Sequence, residues 1–228
     1  MIVIVSPHLD DALLSCADHA RAWLQQGHEV RVLTLFSAAG PCVSPVLGGH
    51  AAASFEAENH MQQRREEDVE ALACIGLCAE HLGLVDAGFR GSDGTADFQH
   101  LAQLLCGSVG PGGAALVTQA TRALCSRMAG VSRVLCPLAV GGHVDHVITR
   151  RACEAVADAK LLSYYADMPY ARAPWHWQAA QLAQALRARR SWRWISAAKS
   201  QALQRYKSQM PLLFNTQPRF PELLLGLG

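Results

Sequence analysis

The sequence lacks a long hydrophobic run and a strong excess of either charge. No segment reaches the about 18 to 20 consecutive apolar residues that a transmembrane helix requires, and Met1 to Val5 has no basic flank of the kind that opens a signal peptide. The 20 Lys and Arg residues nearly balance the 19 Asp and Glu residues, which leaves a net charge of +1. We therefore expect a cytoplasmic protein with no membrane span and no nucleic-acid partner, and we interpret the arginines of residues 187–193 as a solvated face.

Eight cysteines are present, but they form no CxxC pair and no compact disulfide framework. Most of them stand among aliphatic residues, as in segments 72–75 and 134–136. This pattern predicts buried thiols in a reducing compartment, without disulfides and without a sulfur-rich structural metal site.

The order of apolar segments predicts an α/β fold. Residues 2–5 form a β-branched run, residues 13–26 have helical periodicity and end at Gly27, and residues 29–36 form a second strand. A strand–helix–strand unit of this length indicates a parallel sheet with a right-handed crossover. Further helices are predicted at 59–75, 144–159 and 199–209, with strands at 81–84, 133–136 and 161–165. We predict a single Rossmann-like domain over 1–228, with a mostly parallel sheet and helices on both faces; 37–55 reads as a long loop.

The segment Pro7-His8-Leu9-Asp10-Asp11 directly follows the first predicted strand. Open α/β sheets bind ligands at the carboxyl ends of their strands. One imidazole and two carboxylates on a tight turn offer ligands for a metal and a spare acid. The alternative is that Asp10 or Asp11 only caps the following helix.

A second segment, Gly141-Gly142-His143-Val144-Asp145-His146, also lies between a strand and a helix. His143 and His146 are three residues apart and can share a helix face. Asp145 between them can orient a neighbouring imidazole by accepting its N–H. The two segments together predict a nitrogen- and oxygen-ligated site with open positions, which is typical of a catalytic metal.

These motifs resemble the LmbE-like or PIG-L family of zinc-dependent N-acetylglucosaminyl deacetylases. The resemblance extends to an R-x-x-E-D pattern at Arg64, Glu67 and Asp68, and to Asp86 after a Leu-Gly-Leu strand. It also covers segments 165–170 and 199–209. The family's usual first motif is His-Pro-Asp-Asp-Glu; here Leu9 replaces the Pro and Ala12 replaces the Glu, which bears on substrate details.

The resemblance implies a role for each motif residue. His8, Asp11 and His146 would bind Zn²⁺, Asp10 would be the general base, and His143 would stabilise an oxyanion or act as an acid. A site with two His and one carboxylate suits Fe²⁺ as well.

The resemblance also implies a substrate. Arg64, opposite Asp86, would contact it, unless Arg64 is a surface residue paired with Asp68. The substrate would be a small N-acetylated sugar conjugate, cleaved to acetate and a free amine.

Three other interpretations remain open at this stage. One is a metal-dependent amidase for a non-sugar or thiol-conjugate amide, and another is a phosphoesterase, which would usually need two metals and more carboxylates. The third is a sugar- or nucleotide-binding module, but the turn after the first strand lacks the glycine-rich phosphate fingerprint. The tryptophans of segments 175–177 and 192–194 are interpreted as core or interface packing rather than as a sugar-binding wall. The sequence is compatible with a homo-oligomer.

Overall fold

The computed structural model describes residues 1–47, 54–214 and 220–226. The predicted loop 37–55 falls partly outside this range. Where it is described, strand β2 extends to Ala38 and a short 3₁₀ turn covers Pro45–Leu47. Within the described ranges, no helix combines the length and the apolar character needed to cross a bilayer.

A seven-stranded sheet forms the centre of the molecule. Its strands, with those of a small separate hairpin (β4 and β5), are β1 Ile2–Ser6, β2 Val30–Ala38, β3 Ala79–Val85, β4 Gly91–Ser92, β5 Thr95–Ala96, β6 Arg133–Pro137, β7 Leu162–Tyr165, β8 Arg190–Arg193 and β9 Glu222–Leu225. The order across the large sheet is β3-β2-β1-β6-β7-β9-β8. The five strands β3, β2, β1, β6 and β7 run parallel to one another, whereas β9 is antiparallel to both of its neighbours, β7 and β8.

The strand order reverses between β1 and β6. From β1 the chain first adds strands on one side, and it then returns to add β6 on the other side. In open α/β sheets this reversal leaves a crevice at the carboxyl ends of the two strands. Both predicted ligand segments directly follow these two strands, so the topology brings them to one crevice.

Helices cover both faces of the sheet, as predicted. They are α1 Asp11–Gln25, α2 Ser54–Ala73, α3 Leu101–Leu104, α4 Gly113–Cys125, α5 Val144–Val156, α6 Ala179–Arg187, α7 Ala197–Leu203 and α8 Met210–Leu213. Alternate residues of β1 point to opposite faces. Ile2 and Ile4 pack into a core with α1, whereas Val3 and Val5 pack into a second core with α4 and α5. The fold class is thereby confirmed.

The C-terminal quarter differs most from the prediction. Strands β8 and β9 and helix α6 were not predicted, and the helix expected at 199–209 ends at Leu203. The chain turns there, and Tyr206 is fully buried with its hydroxyl donating to Asp68 Oδ1 at 2.6 Å. A tertiary contact thus ends a helix that local periodicity would continue.

Two predictions about burial are corrected. All eight cysteines are free thiols, but only Cys16, Cys42, Cys136 and Cys153 are buried; Cys74, Cys78, Cys106 and Cys125 are exposed. Core packing of the two tryptophan segments is also wrong for three side chains: Trp175 is 82% exposed, Trp192 55% and Trp194 78%. Aliphatic neighbours in sequence do not determine which side of an element a residue occupies.

Candidate metal centre and active site

The turn after β1 presents both aspartates to the crevice. Asp10 occupies the position before α1, but its side chain makes no capping hydrogen bond. Instead, Ser6 Oγ accepts the N–H of Ala12 at 3.0 Å. Asp11 Oδ2 accepts the backbone N–H of His8 at 2.9 Å. The helix-capping interpretation is therefore wrong, and both carboxylates remain available to the site.

The turn after β6 depends on two glycines in left-handed conformation. Gly141 and Gly142 have φ of +88° and +68°. A side chain at Gly141 would also collide with the ring of Tyr170, since an added Cβ would lie 2.6 Å from its Cγ. His143 follows immediately, and its Nδ1 accepts the backbone N–H of Asp145 at 3.2 Å. The turn thus aims the His143 ring and α5 at the end of β1.

Asp11 lies between His8 and His146 and contacts both imidazoles. Asp11 Oδ2 lies 3.1 Å from His8 Nδ1 and 3.2 Å from His146 Nε2. These separations suit neighbouring ligands of one cation, and the donor set of two imidazoles and one carboxylate matches that of catalytic zinc. The residues therefore fit the metal that the sequence implied.

His143 lies beside the same three residues. Ligand nitrogens of His8, His143 and His146 are all within 4.8 Å of one another, so a three-histidine grouping is a second geometric option. We favour Asp11 as the third ligand, because one of its oxygens contacts both of the other imidazoles directly. His143 then remains at the edge of the site, facing the open positions.

A carboxylate lies behind each of the two imidazoles. Asp145 Oδ2 is 3.1 Å from His8 Nε2, and Asp167 Oδ1 is 2.6 Å from His146 Nδ1. Asp145 is held in turn by the backbone N–H of Ala87 at 2.9 Å and by the Arg90 guanidinium. Such partners orient metal-binding imidazoles and raise their basicity.

Asp167 and Arg90 belong to this arrangement, although the sequence was not interpreted to include them. Asp167 closely follows β7, so the strand-end rule that indicated Asp11 and His146 also applied to it. Arg90 is buried against Phe36 and Phe98. No local pattern marks it, because its partner Asp145 is 55 residues away.

The titration of the two imidazoles reports an excess of negative charge. Burial lowers the pKa of His146, but the Asp11 and Asp167 carboxylates outweigh it and raise the pKa to about 9. The pKa of His8 is likewise raised well above its usual value, since Asp11 and Asp145 outweigh the effect of burial. A centre that holds protons this strongly also attracts a metal cation.

The pKa values of Asp10 and His143 shift differently from those of these two imidazoles. Burial, followed by the neighbouring Asp11 charge, raises the pKa of Asp10 to about 6. Burial, followed by the charge of His8, lowers the pKa of His143 well below its usual value. Hence His143 is neutral, and because its Nδ1 accepts a hydrogen bond, its proton is on Nε2.

Arg64 and Asp86 complete the wall. Arg64 is buried, its NH1 lies 3.6 Å from Asp86 Oδ2, and its Nε has no hydrogen-bond partner among the described residues. The alternative pairing of Arg64 with Asp68 is wrong, because Asp68 contacts Tyr206 and His81. Arg64 and Asp86 thus face the same cavity as the histidines.

The cavity itself has a volume of about 160 Å³. Residues from the strand ends and from the C-terminal segment line it: His8, Asp10, Asp11, Leu14, Arg64, Asp86, His143, His146, Met168, Pro169, Tyr170, Gln209 and Leu213. Every residue that the motifs predicted for metal, base, oxyanion or substrate contact is therefore in one cavity, with Asp145 directly behind it.

The curated relatives that this sequence matches are named deacetylases. The chain is 35% identical over 173 residues to 2'-N-acetylparomamine deacetylase of Streptomyces fradiae, an alignment that covers 74% of this chain and 57% of that protein. The enzyme of the same name from Niallia circulans is 31% identical over 119 residues, covering 45% and 42%. The chain thus spans about half the length of these relatives.

Solved structures agree with this similarity. A deacetylase of teicoplanin biosynthesis superposes with a TM-score of 0.75 at 25% identity, covering 98% of this chain and 96% of that chain. The A40926 pseudoaglycone deacetylase superposes with a TM-score of 0.74 at 25% identity, covering 99% and 96%. Another of these structures is a zinc-inhibited form of teicoplanin deacetylase.

The family model described as "PIG-L: GlcNAc-PI de-N-acetylase" matches residues 3–157, which is more than half of the chain and includes both ligand segments. Together with the shared fold, this match establishes that the chain belongs to the PIG-L family.

Proposed function

We propose that the protein is a metal-dependent N-deacetylase that removes the acetyl group from an N-acetylated amino sugar, within a larger natural product or a free conjugate. The observation that carries this proposal is the meeting of His8 Nδ1, Asp11 Oδ2 and His146 Nε2 at separations of 3.1 and 3.2 Å beside an unengaged Asp10. The two curated relatives are named 2'-N-acetylparomamine deacetylases, which supports an N-acetylated substrate of this class.

His8, Asp11 and His146 would hold the metal, with Asp145 and Asp167 fixing the two imidazoles from behind. When bound, a cation such as Zn²⁺ or Fe²⁺ polarises an amide carbonyl and lowers the pKa of a coordinated water. The excess of carboxylates around the imidazoles favours a divalent cation over a vacant centre.

Asp10 would act as the general base. Its side chain is buried in the cavity, makes no helix-capping bond, and has a pKa of about 6. At neutral pH it is mostly ionised, yet it is basic enough to accept a proton from water and pass it to the leaving amine.

His143 would donate a hydrogen bond to the oxyanion. Because the Asp145 N–H occupies Nδ1, the neutral ring carries its proton on Nε2 and acts as a donor there. This choice favours oxyanion stabilisation over general-acid catalysis for His143. Arg64, whose Nε has no hydrogen-bond partner within residues 1–47, 54–214 and 220–226, and Asp86 would hold substrate hydroxyls.

The test compares Asp10→Asn with His146→Ala in two assays: metal content and release of acetate from N-acetylparomamine and N-acetylglucosamine. We expect Asp10→Asn to keep the metal and to lose on the order of 100- to 10,000-fold in turnover. His146→Ala should lose both. Asp158→Asn, an exposed aspartate that pairs with Lys160, serves as the matched control.

Metals are added one at a time, and zinc is also titrated beyond one equivalent, since a related structure is a zinc-inhibited form. The proposed function fails if wild-type protein loaded with each metal releases no acetate from any N-acetylated amino sugar. The base assignment fails separately if metal-loaded Asp10→Asn turns over at the wild-type rate.

A further inference from the structure

One wall of the catalytic cavity comes from the C-terminal segment, outside the residues 3–157 that the family model matches. Gln209 and Leu213 belong to this wall. Leu213 is 37% exposed and lies near the surface, whereas Gln209 is only 9% exposed. Gln209 is therefore a buried polar side chain of the cavity, and its surroundings show what holds it there.

Two successive acidic residues of α2 hold the chain just before Gln209. Asp68 Oδ1 accepts the hydroxyl of Tyr206 at 2.6 Å. The buried Glu67 accepts the backbone N–H of Ser208 with its two oxygens, at 3.1 and 3.2 Å, and its Oε2 also accepts the hydroxyl of Ser208 at 2.6 Å. These three donors fix the segment that carries Gln209 to a helix that itself lines the cavity.

The same contacts set the orientation of the Gln209 amide. The hydroxyl of Ser208 gives its one hydrogen to Glu67, so Ser208 Oγ can only accept a hydrogen bond from Gln209, whose Nε2 lies 3.2 Å away. Gln209 precedes α8, but its side chain makes no capping hydrogen bond. Within residues 1–47, 54–214 and 220–226, no group donates a hydrogen bond to its Oε1. The amide is thus oriented by one N–H, and its oxygen and second N–H are left for a ligand.

An amide in this position suits a hydroxyl group. Among the other polar groups of the cavity, the carboxylates of Asp10 and Asp86 accept hydrogen bonds when ionised, and the guanidinium of Arg64 only donates them. The amide of Gln209 can do both, as a hydroxyl can. Because an amide does not titrate, it has no role as an acid or a base. Such neutral polar groups typically fix the orientation of a ligand in its pocket.

We propose that Gln209 binds a ring hydroxyl of the N-acetylated sugar, and that Ser208, held by Glu67, positions its amide for this contact. The inference rests on the proposed function, because it assumes that this cavity receives the sugar ring. It adds a residue that distinguishes a hydroxylated ring from a bare one. A site built to bind a hydroxyl discriminates against an analogue without it, since the buried polar group of the site then lacks a partner.

The experiment measures binding, so that its result does not depend on catalysis. N-acetylparomamine, N-acetylglucosamine and N-cyclohexylacetamide are titrated by calorimetry into the full zinc-loaded chain that carries Asp10→Asn. The last compound has the same acetamide on a ring without hydroxyls, and we expect it to bind more weakly than the sugars. Gln209→Met should weaken sugar binding by about 3- to 10-fold, the effect of one or two neutral hydrogen bonds, and should not weaken binding of N-cyclohexylacetamide.

A matched control makes the same change at an exposed glutamine. Gln201→Met on α7 should leave sugar affinity within about twofold of that of the unaltered Asp10→Asn chain. Gln209→Leu is measured as a second replacement and should behave as Gln209→Met does. Equal zinc content and equal urea midpoints show that the metal centre and the fold of each variant are intact.

The positioning role of Ser208 has its own test. Ser208→Ala should weaken sugar binding about two- to threefold. It should have no further effect in a chain that already carries Gln209→Met, because a positioning residue acts only through the amide that it holds. A residue that merely supports the fold would weaken binding equally in both chains.

Several outcomes would overturn the inference. They are sugar binding that Gln209→Met leaves unchanged, an equal loss for the sugars and N-cyclohexylacetamide, or no binding of either sugar. Acetate release by the wild type, with sugar binding indifferent to Gln209, would reject this inference and leave the proposed function standing. Sugar binding that depends on Gln209, in a wild type that releases no acetate with any metal, would reject the proposed function and keep the sugar contact.

Discussion

Two buried clusters in this protein pair histidine with carboxylate. They differ in the source of the positive charge that compensates the buried carboxylates. At the ends of β1 and β6, the described residues include five aspartates around the imidazoles of His8 and His146, with two arginines: Asp10, Asp11, Asp86, Asp145 and Asp167, with Arg64 and Arg90. Beneath β9, Glu222 contacts His19 Nδ1 at 2.8 Å, and Lys199 Nζ donates to the same carboxylate at 2.8 Å.

The second cluster is complete within the chain. Both Lys199 and Glu222 have no exposed surface, and Lys199 Nζ also donates to the Leu14 carbonyl at 2.6 Å. Two backbone N–H groups, those of Asp18 and His19, satisfy the remaining capacity of Glu222. The ammonium group is therefore the cation of this cluster, whereas the first cluster has carboxylates in excess and is the site that we propose for an external metal. In this comparison, the buried polar cluster is structural where the chain supplies the counter-charge, and functional where an external ion would supply it.

The largest effect is expected from removing the internal cation, the ammonium group of Lys199. Lys199→Met leaves Glu222 buried beside an apolar chain, and breaking a buried pair costs about 3 to 5 kcal/mol. We expect the free energy of urea unfolding of the metal-free protein to fall by this amount. Lys207→Met, which changes an exposed lysine, should cost much less; equal losses would show that Lys199 is not a special counter-charge.

The complementary experiment supplies the external cation. Metal that binds only the folded state should stabilise the metal-free protein by about 2.7 kcal/mol at a hundred times its Kd, and it should raise the unfolding temperature. Asp11→Asn should abolish this gain, while exposed Asp158→Asn should keep it. A metal-dependent gain that persists in Asp11→Asn would argue against Asp11 as a ligand.

A smaller effect should come from the carboxylates behind the imidazoles. Asp167→Asn keeps the size of the side chain but weakens the acceptor at His146 Nδ1, now 2.6 Å away. Second-sphere changes of this kind typically reduce metal affinity by about 10- to 100-fold. Competition with a chromophoric chelator measures the affinity, and a value equal to that of Asp158→Asn would reject this positioning role.

The smallest expected effect is the pH dependence of stability that comes from Glu222 in the second cluster. Burial alone would raise the pKa of Glu222, but Lys199 and the hydrogen bond from His19 outweigh it and lower the pKa. A carboxyl group with a lowered folded pKa stabilises the protein above its unfolded value, about 4.3, and loses this contribution as pH falls through the folded pKa.

Urea unfolding of the metal-free wild type and Glu222→Gln, at neutral and acidic pH, tests this dependence. We expect the difference in unfolding free energy to be largest at neutral pH and to shrink below about pH 4. A difference that grows towards acid would mean that the folded pKa is raised instead.

The parts of the site that could be predicted are those next to a strand end. His8, Asp11 and His146 follow β1 and β6 within a few residues, so predicting two parallel strands was enough to expect them at one edge. Their roles as ligands, like those of Asp10 and His143, remain predictions until metal and activity are measured. Arg90 could not be predicted, since it acts on Asp145 across 55 residues of chain.

In the fold as well, features with strong local sequence signals could be predicted, and features that depend on remote contacts could not. The N-terminal βαβ unit was predicted because β-branched runs and helical periodicity are strong local signals. Strands β8 and β9 were both missed; β8 reads as Arg-Ser-Trp-Arg, which has no apolar run to indicate a strand. Their pairing depends on β7, which has already been placed by the rest of the sheet.

By itself, the sequence determined the parallel α/β architecture and the set of chemical groups delivered to its strand ends, because both depend on residues close together in the chain. Only the tertiary structure decided which carboxylate lies behind which imidazole, that Lys199 neutralises Glu222, and that Trp175, Trp192 and Trp194 are exposed. These features depend on contacts between segments that are remote in the chain. Such contacts form only when the helices have packed on both faces of the sheet.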